Sequence, residues 1–322
     1  MFRRQNTSTL AMALSLALSV ALVGGAPTAL AHSPASATAQ KPAPLAYAPG
    51  KTAETARFSV QVRGKAGAPD VVLVHGLSSS RSVWEPLAAS LEGRFRVHVL
   101  QINGYDGTPV AGNATGRPVA DTAEELAAYI KGAGLKKPAL IGHSMGGTIG
   151  MMVAARHPDA ISRLMVVDMV PDMYMFVLGP QASAEQVAAT SDAMRKGMIS
   201  ASDEANKAQV TQVINGMVKT ESARGPVLAS ALSSDRTLNA NAYHELLNTR
   251  LSSELPAVTA PTTVLYAWHA GLPYTAQMAD GWYKGAYMTL KGANLVRIDD
   301  SAHFIQIDAR DRFHSEVETF LK

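Results

Sequence analysis

The residues best suited to covalent chemistry lie in the pattern Gly-x-Ser-x-Gly at residues 142–146. An apolar run precedes this pattern, and a helix-forming segment, residues 148–156, follows it. A serine hydroxyl is a poor nucleophile unless it is exposed, held still and placed beside a base. A sharp turn between a strand and a helix meets the first two needs, and only glycine fits on either side of it. The pattern also occurs by chance in loops, but this context predicts that Ser144 is a nucleophile.

A serine nucleophile needs a general base, and the nine histidines of the chain are the first candidates. Six are poorly placed: in a tether, inside a strand, beside Ser144 but directed away from its hydroxyl, or along helices (His32, His98, His143, His157, His244 and His314). His75, His269 and His303 remain. His303 follows the last predicted buried strand and precedes the last helix, where a loop at the end of a sheet must lie. We predict that His303 is the base, with a helix-capping or surface role as the alternative.

Acyl transfer also needs N–H donors for the negative charge that develops on the carbonyl oxygen. The turn after Ser144 directs the backbone N–H of Met145 towards that position. The loop after the early apolar run, residues 70–76, offers a second donor, the N–H of Leu77. His75, at the end of this run, is more easily explained as a structural hydrogen-bonding residue than as a catalyst.

Segments of two kinds alternate along the chain and indicate the scaffold for these residues. Short apolar runs are typical of strands buried on both faces of a parallel sheet. Helical patterns separate them, including one that Asp121 and Glu124 begin in the manner of a capping box. This alternation predicts an α/β fold with a doubly wound, mostly parallel sheet. The predicted strands are residues 58–62 as an edge strand, 70–76, 95–102, the segment before Ser144, 164–168, 262–268 and 295–299, and the last helix carries Phe313, Val317, Phe320 and Leu321 on one face.

One long segment, residues 172–255, breaks the alternation because it has helical patterns and no strand. Inserted near the carboxyl ends of the strands, it is predicted to form a helical lid over the site. Its methionines suit a surface that accommodates varied apolar ligands, although ordinary helix packing explains any single one equally well: Met173, Met175, Met194, Met198 and Met217.

The N-terminus has the features of an export signal. Arg3 and Arg4 precede an apolar run, residues 10–23, and Ala29-Leu30-Ala31 resembles a cleavage site. The run is shorter than the roughly 20 residues that span a bilayer. We therefore predict a signal peptide at 1–31, cleaved near Ala31, then a flexible Pro- and Ala-rich tether at 32–56 and a catalytic domain at 57–322. The protein would be periplasmic or secreted, without stable insertion into a membrane.

Composition excludes several classes of protein. The 322-residue chain has 29 Lys and Arg against 26 Asp and Glu, a balance that does not favour nucleic-acid binding. It has no cysteine, which excludes disulfides, thiolate metal sites and a cysteine nucleophile. The composition leaves the oligomeric state open.

Three motifs together resemble the α/β-hydrolase fold family, in its small, single-domain, lidded branch: Val74-His75-Gly76, Gly142-His143-Ser144-Met145-Gly146-Gly147 and Ala302-His303-Phe304. The resemblance covers roughly residues 58–321. It implies a serine hydrolase that uses neither a metal nor an organic cofactor. The family includes enzymes for several bond types, so the resemblance alone does not select the substrate.

The acid of the expected Ser, acid, His order is where the sequence departs from the family. The family usually places an Asp in the loop after the strand at 262–268, but here no carboxylate follows until Asp280. The other family location is the end of the strand after the helix that follows Ser144, where Asp168 stands. Asp168 is the leading candidate, with a structural hydrogen bond as its alternative role. Asp280 is the second candidate, and Asp299, Asp300 or a neutral partner of His303 complete the alternatives.

The sequence therefore predicts an exported serine hydrolase that cleaves small or medium apolar carboxylic esters through an acyl-enzyme. Its partner would be a small apolar acyl substrate. Two alternatives remain. In the first, the enzyme cleaves an amide or a carbon–carbon bond, or it transfers an acyl group to form a peracid. In the second, the protein binds a ligand on the same fold without turnover.

Overall fold

The computed structural model describes residues 52–322. The predicted signal peptide and all but the last residues of the predicted tether lie outside this range. Within it, the strands are β1 Thr52–Glu54, β2 Phe58–Gly64, β3 Asp70–Val74, β4 Arg96–Ile102, β5 Ala139–His143, β6 Arg163–Val167, β7 Thr262–Trp268 and β8 Asn294–Asp299.

These strands form a single mixed sheet in the order β1-β2-β4-β3-β5-β6-β7-β8. The pairs β1–β2 and β2–β4 are antiparallel, whereas every pair from β4 to β8 is parallel. The carboxyl ends of the parallel strands therefore lie along one edge of the sheet, and the loops that follow them meet there.

Helices cover both faces of this sheet, and further helices form the insertion between β6 and β7. They are α1 Glu85–Leu91, α2 Pro118–Gly132, α3 Met145–Arg156, α4 Tyr174–Leu178, α5 Ala184–Ser200, α6 Asp203–Met217, α7 Arg224–Ser233, α8 Arg236–Asn248, α9 Ala276–Ala286, α10 Ile305–Asp308 and α11 Arg310–Phe320. Short 3₁₀ turns occupy Arg81–Trp84, Ala111–Ala114, Glu221–Ala223, Leu251–Ser253 and Leu255–Ala257.

Strand β3 shows why the sheet needs cover on both sides. Val72 and Val74 point into a core that includes α2 and α3, whereas Val71 and Leu73 point into the opposite core, with α1 and α11. Successive side chains of a strand alternate between faces, so a run without polar residues must be buried on both. The predicted α/β fold with a doubly wound sheet is confirmed.

The inserted helices, α4 to α8, separate β6 from β7, and the described structure has no strand in this interval. Polar caps begin three of them: Ser183 accepts a hydrogen bond from Gln186 N, Ser202 from Ala205 N, and Asp235 from Leu238 N. Such caps satisfy N–H groups that have no partner within the helix. The insertion agrees with the predicted helical segment at 172–255. Its action as a lid remains a prediction.

Two predictions of local structure are wrong. Residues 58–62 belong to β2, which lies between β1 and β4 rather than at the edge, because residues 52–54 of the predicted tether form β1. Asp121 is not an N-cap, since α2 begins at Pro118. Its carboxylate instead accepts the Arg117 N–H at 2.9 Å and pairs with Arg57. Proline is favourable at a first helical position, where its missing N–H costs nothing.

Candidate active site

Ser144 lies at the turn between β5 and α3, as the sequence predicts. Its backbone has φ 53° and ψ −122°, a strained conformation for a residue with a side chain. Its N–H donates to Val167 O at 2.9 Å, and its carbonyl accepts the Gly147 N–H at 2.7 Å. Ser144 is partly exposed, although the residues on both sides of it are buried. The turn thus holds the hydroxyl at the surface of a rigid frame.

The two glycines of the pattern allow this turn to close. A Cβ at Gly142 would lie 2.1 Å from the carbonyl oxygen of Gly146, and one at Gly146 would lie 2.2 Å from the carbonyl oxygen of Val74. Both neighbours are backbone atoms that cannot move aside. Any side chain at either position would force Ser144 out of place.

The sheet register places the second candidate, Asp168, beside Ser144. His143 is opposite Val167 in the parallel pair β5–β6, so Ser144 and Asp168 are the next residues of adjacent strands. Asp168 also has a positive φ, 51°, and its N–H donates to Leu265 O at 2.8 Å in the next strand, β7. This backbone conformation turns the Asp168 side chain along the edge of the sheet.

The Asp168 carboxylate contacts His303 directly. Its Oδ2 lies 2.7 Å from His303 Nδ1, and only 8% of the Asp168 side chain and 11% of the His303 side chain are exposed. A carboxylate accepts hydrogen bonds, so Nδ1 carries the proton and donates it. Nε2 is then left with a lone pair that can accept a proton from a hydroxyl.

The other oxygen of Asp168 has its own donors. Oδ1 accepts the Ala267 N–H at 2.9 Å and the Tyr283 hydroxyl at 3.0 Å. Burial, reinforced by the charge of Asp168, raises the pKa of Tyr283 well above its ordinary value, so the phenol remains a donor. The three hydrogen bonds fix the carboxylate plane and stabilise its negative charge. Tyr283 was not foreseen in the sequence, because nothing in its local pattern links α9 to the end of β6.

The alternative carboxylates have other partners. Asp280 pairs with Arg297 at 2.5 Å and accepts the Tyr266 hydroxyl at 2.8 Å. Asp299 pairs with the same Arg297 at 2.6 Å, and Asp300 pairs with Lys219 at 2.5 Å. None of these three carboxylates has a hydrogen bond to His303 in the described part of the chain. Geometry therefore favours Asp168, whose catalytic role remains a prediction.

The two predicted oxyanion donors lie on either side of Ser144. Val74 pairs with Gly142 in the β3–β5 ladder, which brings the loop after β3 against the turn. A Cβ at Gly76 would lie 2.9 Å from Ser144 Cβ, so Leu77 begins next to the serine. Met145 is the first residue of α3, a position where the N–H has no partner within the helix. Both residues thus lie beside Ser144 at this end of the sheet, and their role as oxyanion donors remains a prediction.

His143, which was not expected to be the general base, is fully buried and belongs to this arrangement. Its Nε2 lies 2.9 Å from the carbonyl oxygen of His303 and must donate to it, and the two rings are 4.6 Å apart. Burial, with a smaller effect of His303, holds the pKa of His143 well below its ordinary value. The neutral ring supports the His303 backbone without adding a competing base.

The other two histidine candidates form their hydrogen bonds with backbone groups outside this arrangement. His75 is fully buried, with Nδ1 2.8 Å from Gly76 O and Nε2 accepting the Ile102 N–H at 3.0 Å. Burial lowers its pKa to about 4. His269 accepts the Gly271 N–H at 3.2 Å within its own loop. His75 has the structural hydrogen bonds that the sequence indicated.

A cavity of about 180 Å³ lies between the edge of the sheet and the inserted helices. The sheet contributes Ser144, Asp168 and His303, together with Gly76 and Leu77. The inserted helices contribute a mainly apolar surface that includes Met173, Phe176, Val177, Met198, Val210, Val213, Ile214 and Met217. Three of the five methionines singled out in the sequence line the cavity. Of the other two, Met194 packs against the buried cluster of Val187, Tyr243 and Leu247.

Residues 52–322 contain neither a helix suited to span a membrane nor a cluster of metal ligands. No helix in this range is both long enough and apolar enough to cross a membrane. No group of three or more His, Cys, Asp or Glu side chains in the same range could hold a metal ion.

Residues 69–309 match the family model for the alpha/beta hydrolase fold. The chain therefore belongs to the alpha/beta hydrolase fold family, and the resemblance stated from its motifs is confirmed. A pimeloyl-acyl-carrier-protein methyl ester esterase of Aeromonas hydrophila is 32% identical over 114 residues, which are 35% of this chain and 43% of the esterase. The chain thus matches less than half of that relative.

Solved structures agree on the fold over most of the chain. A hydrolase from Pseudomonas aeruginosa has a TM-score of 0.68 at 18% identity, and the match covers 86% of this chain and 98% of the hydrolase. The enol-lactonase of Burkholderia xenovorans has a TM-score of 0.64 at 20% identity, covering 86% of this chain and 99% of the lactonase. At such low identity these similarities establish the fold alone.

Proposed function

We propose that the protein is a serine hydrolase that cleaves small or medium apolar carboxylic esters through an acyl-enzyme. The hydrogen bond of 2.7 Å between Asp168 and His303, beside a serine held in a strained turn, is the observation that supports this most strongly. A carboxylate, an imidazole and a hydroxyl around one cavity form the arrangement used for nucleophilic acyl transfer on several unrelated folds.

In the acylation step, His303 Nε2 takes the proton of the Ser144 hydroxyl as its oxygen attacks the ester carbonyl. The electron pair of the carbonyl moves to its oxygen, which accepts hydrogen bonds from the N–H groups of Leu77 and Met145. The tetrahedral intermediate collapses by breaking the bond to the alcohol oxygen. The alcohol leaves with the proton from His303, and the acyl group stays on Ser144.

Deacylation repeats the cycle with water. His303 Nε2 takes a proton from water as its oxygen attacks the acyl carbon, and the same N–H donors bind the oxyanion. The bond to Ser144 then breaks, and Ser144 recovers its proton from His303. Throughout both steps, Asp168 holds the ring in the tautomer with Nδ1 protonated and stabilises the cation that forms.

The cavity lining supports an uncharged, apolar substrate. Its described lining contains no Lys or Arg, and most of the inserted-helix surface is aliphatic, aromatic or methionine. A substrate carboxylate in this cavity would lose its hydration without gaining a cationic partner, which is costly. Methionine side chains are flexible and polarizable, so they can adapt to acyl groups of different shapes.

Two further parts of the proposal concern the rest of the chain. We propose that the inserted helices act as a lid, because they form one side of the cavity and are one continuous insertion between β6 and β7. We also propose export, on the basis of the N-terminal pattern of Arg3 and Arg4, an apolar run and Ala29-Leu30-Ala31.

The experiment compares the wild type with Ser144→Ala, using a fluorophosphonate probe and p-nitrophenyl esters of rising acyl length. We expect labelling and turnover in the wild type, and a loss of about 10⁶-fold in kcat in the variant. Ser79→Ala is the control, since Ser79 is a buried serine outside the cavity lining. Labelling without ester turnover would move the proposal to another bond type. No labelling of folded wild type would favour a binding protein.

A further inference from the structure

Asp308, in the short helix α10, accepts three backbone hydrogen bonds from two separate segments. Its Oδ2 accepts the N–H groups of Ala302 and Lys219, each at 3.0 Å, and its Oδ1 accepts the Thr220 N–H at 2.8 Å. Ala302 directly precedes His303. Lys219 and Thr220 follow the C-terminal end of α6, an inserted helix. One carboxylate thus joins the His303 loop to the inserted helices.

The three donors do not depend on Asp308 equally. Lys219 and Thr220 are exposed, so water can replace the carboxylate at their N–H groups. Ala302 is only 6% exposed, so its N–H has little access to water. A buried donor without an acceptor pays its full desolvation cost, and the chain moves to avoid it. Loss of the carboxylate would therefore displace the residue next to His303.

A second connection runs parallel to the first. The Phe304 N–H donates to the carbonyl oxygen of Met217 at 3.2 Å, and Met217 is both the last residue of α6 and part of the cavity lining. The backbone on both sides of His303 is consequently held by the end of α6, directly through Phe304 and through Asp308 at Ala302. His143 holds the His303 carbonyl from the sheet side at 2.9 Å.

We propose that Asp308 is a positioning residue that makes the placement of the His303 ring depend on the inserted helices. The inference rests on the proposed function of His303 as general base. When α6 occupies its observed position, Asp308 holds Ala302, and His303 is aligned with Asp168. When α6 moves away, Asp308 loses the N–H groups of Lys219 and Thr220. The Phe304 N–H also loses its acceptor, the carbonyl oxygen of Met217.

The test uses the full chain and the variant Asp308→Ala, whose side chain has no acceptor for any of the three N–H groups. Asp308→Glu, which retains the carboxylate, is the rescue variant. Asp311→Ala is the matched control, because Asp311 is an exposed acid at the start of α11. Three quantities are measured: kcat and KM for p-nitrophenyl butanoate, the NMR resonance of the His303 Nδ1 proton, and backbone hydrogen exchange.

We expect kcat to fall about tenfold to a hundredfold in Asp308→Ala with KM nearly unchanged, the cost of a small displacement of a reacting group. The His303 Nδ1 resonance should shift or broaden, and exchange should accelerate at Ala302. Asp308→Glu should recover part of kcat, and Asp311→Ala should resemble the wild type. A purely structural residue would lower the unfolding temperature but leave the His303 resonance and the folded enzyme's kcat unchanged, and that result overturns the proposal.

The two proposals fail separately. If the wild type neither hydrolyses esters nor reacts with fluorophosphonate, the proposed function is wrong. The exchange and NMR measurements still report whether Asp308 holds the His303 loop. If wild-type turnover is normal and Asp308→Ala leaves kcat, the resonance and exchange at Ala302 unaltered, only the role of Asp308 is overturned.

Discussion

The two walls of the cavity are built by different physical means. The sheet wall, formed by Ser144, Asp168 and His303, consists of polar groups held by short hydrogen bonds, with positive φ at Ser144 and Asp168. The helix wall, formed mainly by Met173, Phe176, Met198, Val210, Val213 and Met217, consists of apolar side chains held by packing.

This difference divides the work between the walls. Hydrogen bonds have directions, so a network such as that of Asp168 allows one arrangement of its atoms. Contacts between apolar side chains have no preferred direction, and methionine in particular adapts its shape. We infer that the sheet wall determines the reaction and that the helix wall determines which acyl groups enter. Three predictions follow from this view of the molecule and are given in order of decreasing effect.

Asp168→Asn should have the largest effect, because it removes the charge that orients His303 and stabilises its cation. We expect kcat to fall about 10⁴-fold with KM little changed. Asp280→Asn is the matched control, an alternative acid that pairs with Arg297 away from His303. A loss below tenfold for Asp168→Asn, or a larger loss for Asp280→Asn, would contradict the assignment of the acid.

Two buried histidines next to the sheet wall, His75 and His143, should also make the fold sensitive to acid. His75 has a pKa of about 4 when folded, lowered by burial from 6.5. Between these values the unfolded chain binds a proton that the folded chain does not, so the free energy of unfolding falls as pH decreases from 6.5 to 4, by about 3 kcal/mol at most. Buried His143 contributes in the same direction.

Urea unfolding at several pH values measures this effect. His75→Gln, which keeps a side chain that can hydrogen bond, should show a shallower decrease over this range than the wild type. His157→Gln changes a histidine on the surface and is the control. Equal pH slopes in the wild type and His75→Gln would remove His75 from the explanation.

A substitution in the helix wall should have the smallest effect, and it should change the preference for acyl length rather than the rate of the chemical step. Met198→Ala enlarges the cavity without touching the sheet wall, so the ratio of kcat/KM for long over short acyl esters should change by about tenfold. The value of kcat for an acetate ester should stay close to that of the wild type. Met288→Ala is the control, since Met288 is 80% exposed. A uniform loss for all esters would show that the helix wall also supports the chemistry.

The sequence predicted the features that depend on local pattern. The runs without polar residues, such as 71–74, require burial on both faces, so a parallel sheet with helices on both sides follows from them. The glycines around Ser144 require a tight turn. His303 could be selected because it follows the last strand, and the loops after parallel strands share one edge of the sheet.

Other features depended on contacts between distant segments. The predicted N-cap at Asp121 failed because Pro118 begins the helix earlier and Arg57 engages the carboxylate. Residues 58–62 were placed at the edge because an alternating strand does not reveal whether another strand pairs with its outer side. Strand β1 has only three residues and is too short and too polar to be recognised as a strand from its sequence.

The sequence alone was enough to predict Ser144 as the nucleophile candidate. Five neighbouring residues define it, because the turn is a local property of the backbone. The acid that pairs with His303, in contrast, could be identified as Asp168 only from the tertiary structure. Four carboxylates were candidates, and the choice depends on register and partners: β6 ends beside β5, Asp168 turns towards His303, and Arg297 and Lys219 occupy the other three. Distances of 2.7 Å between residues 135 positions apart arise only when the sheet brings strand ends together.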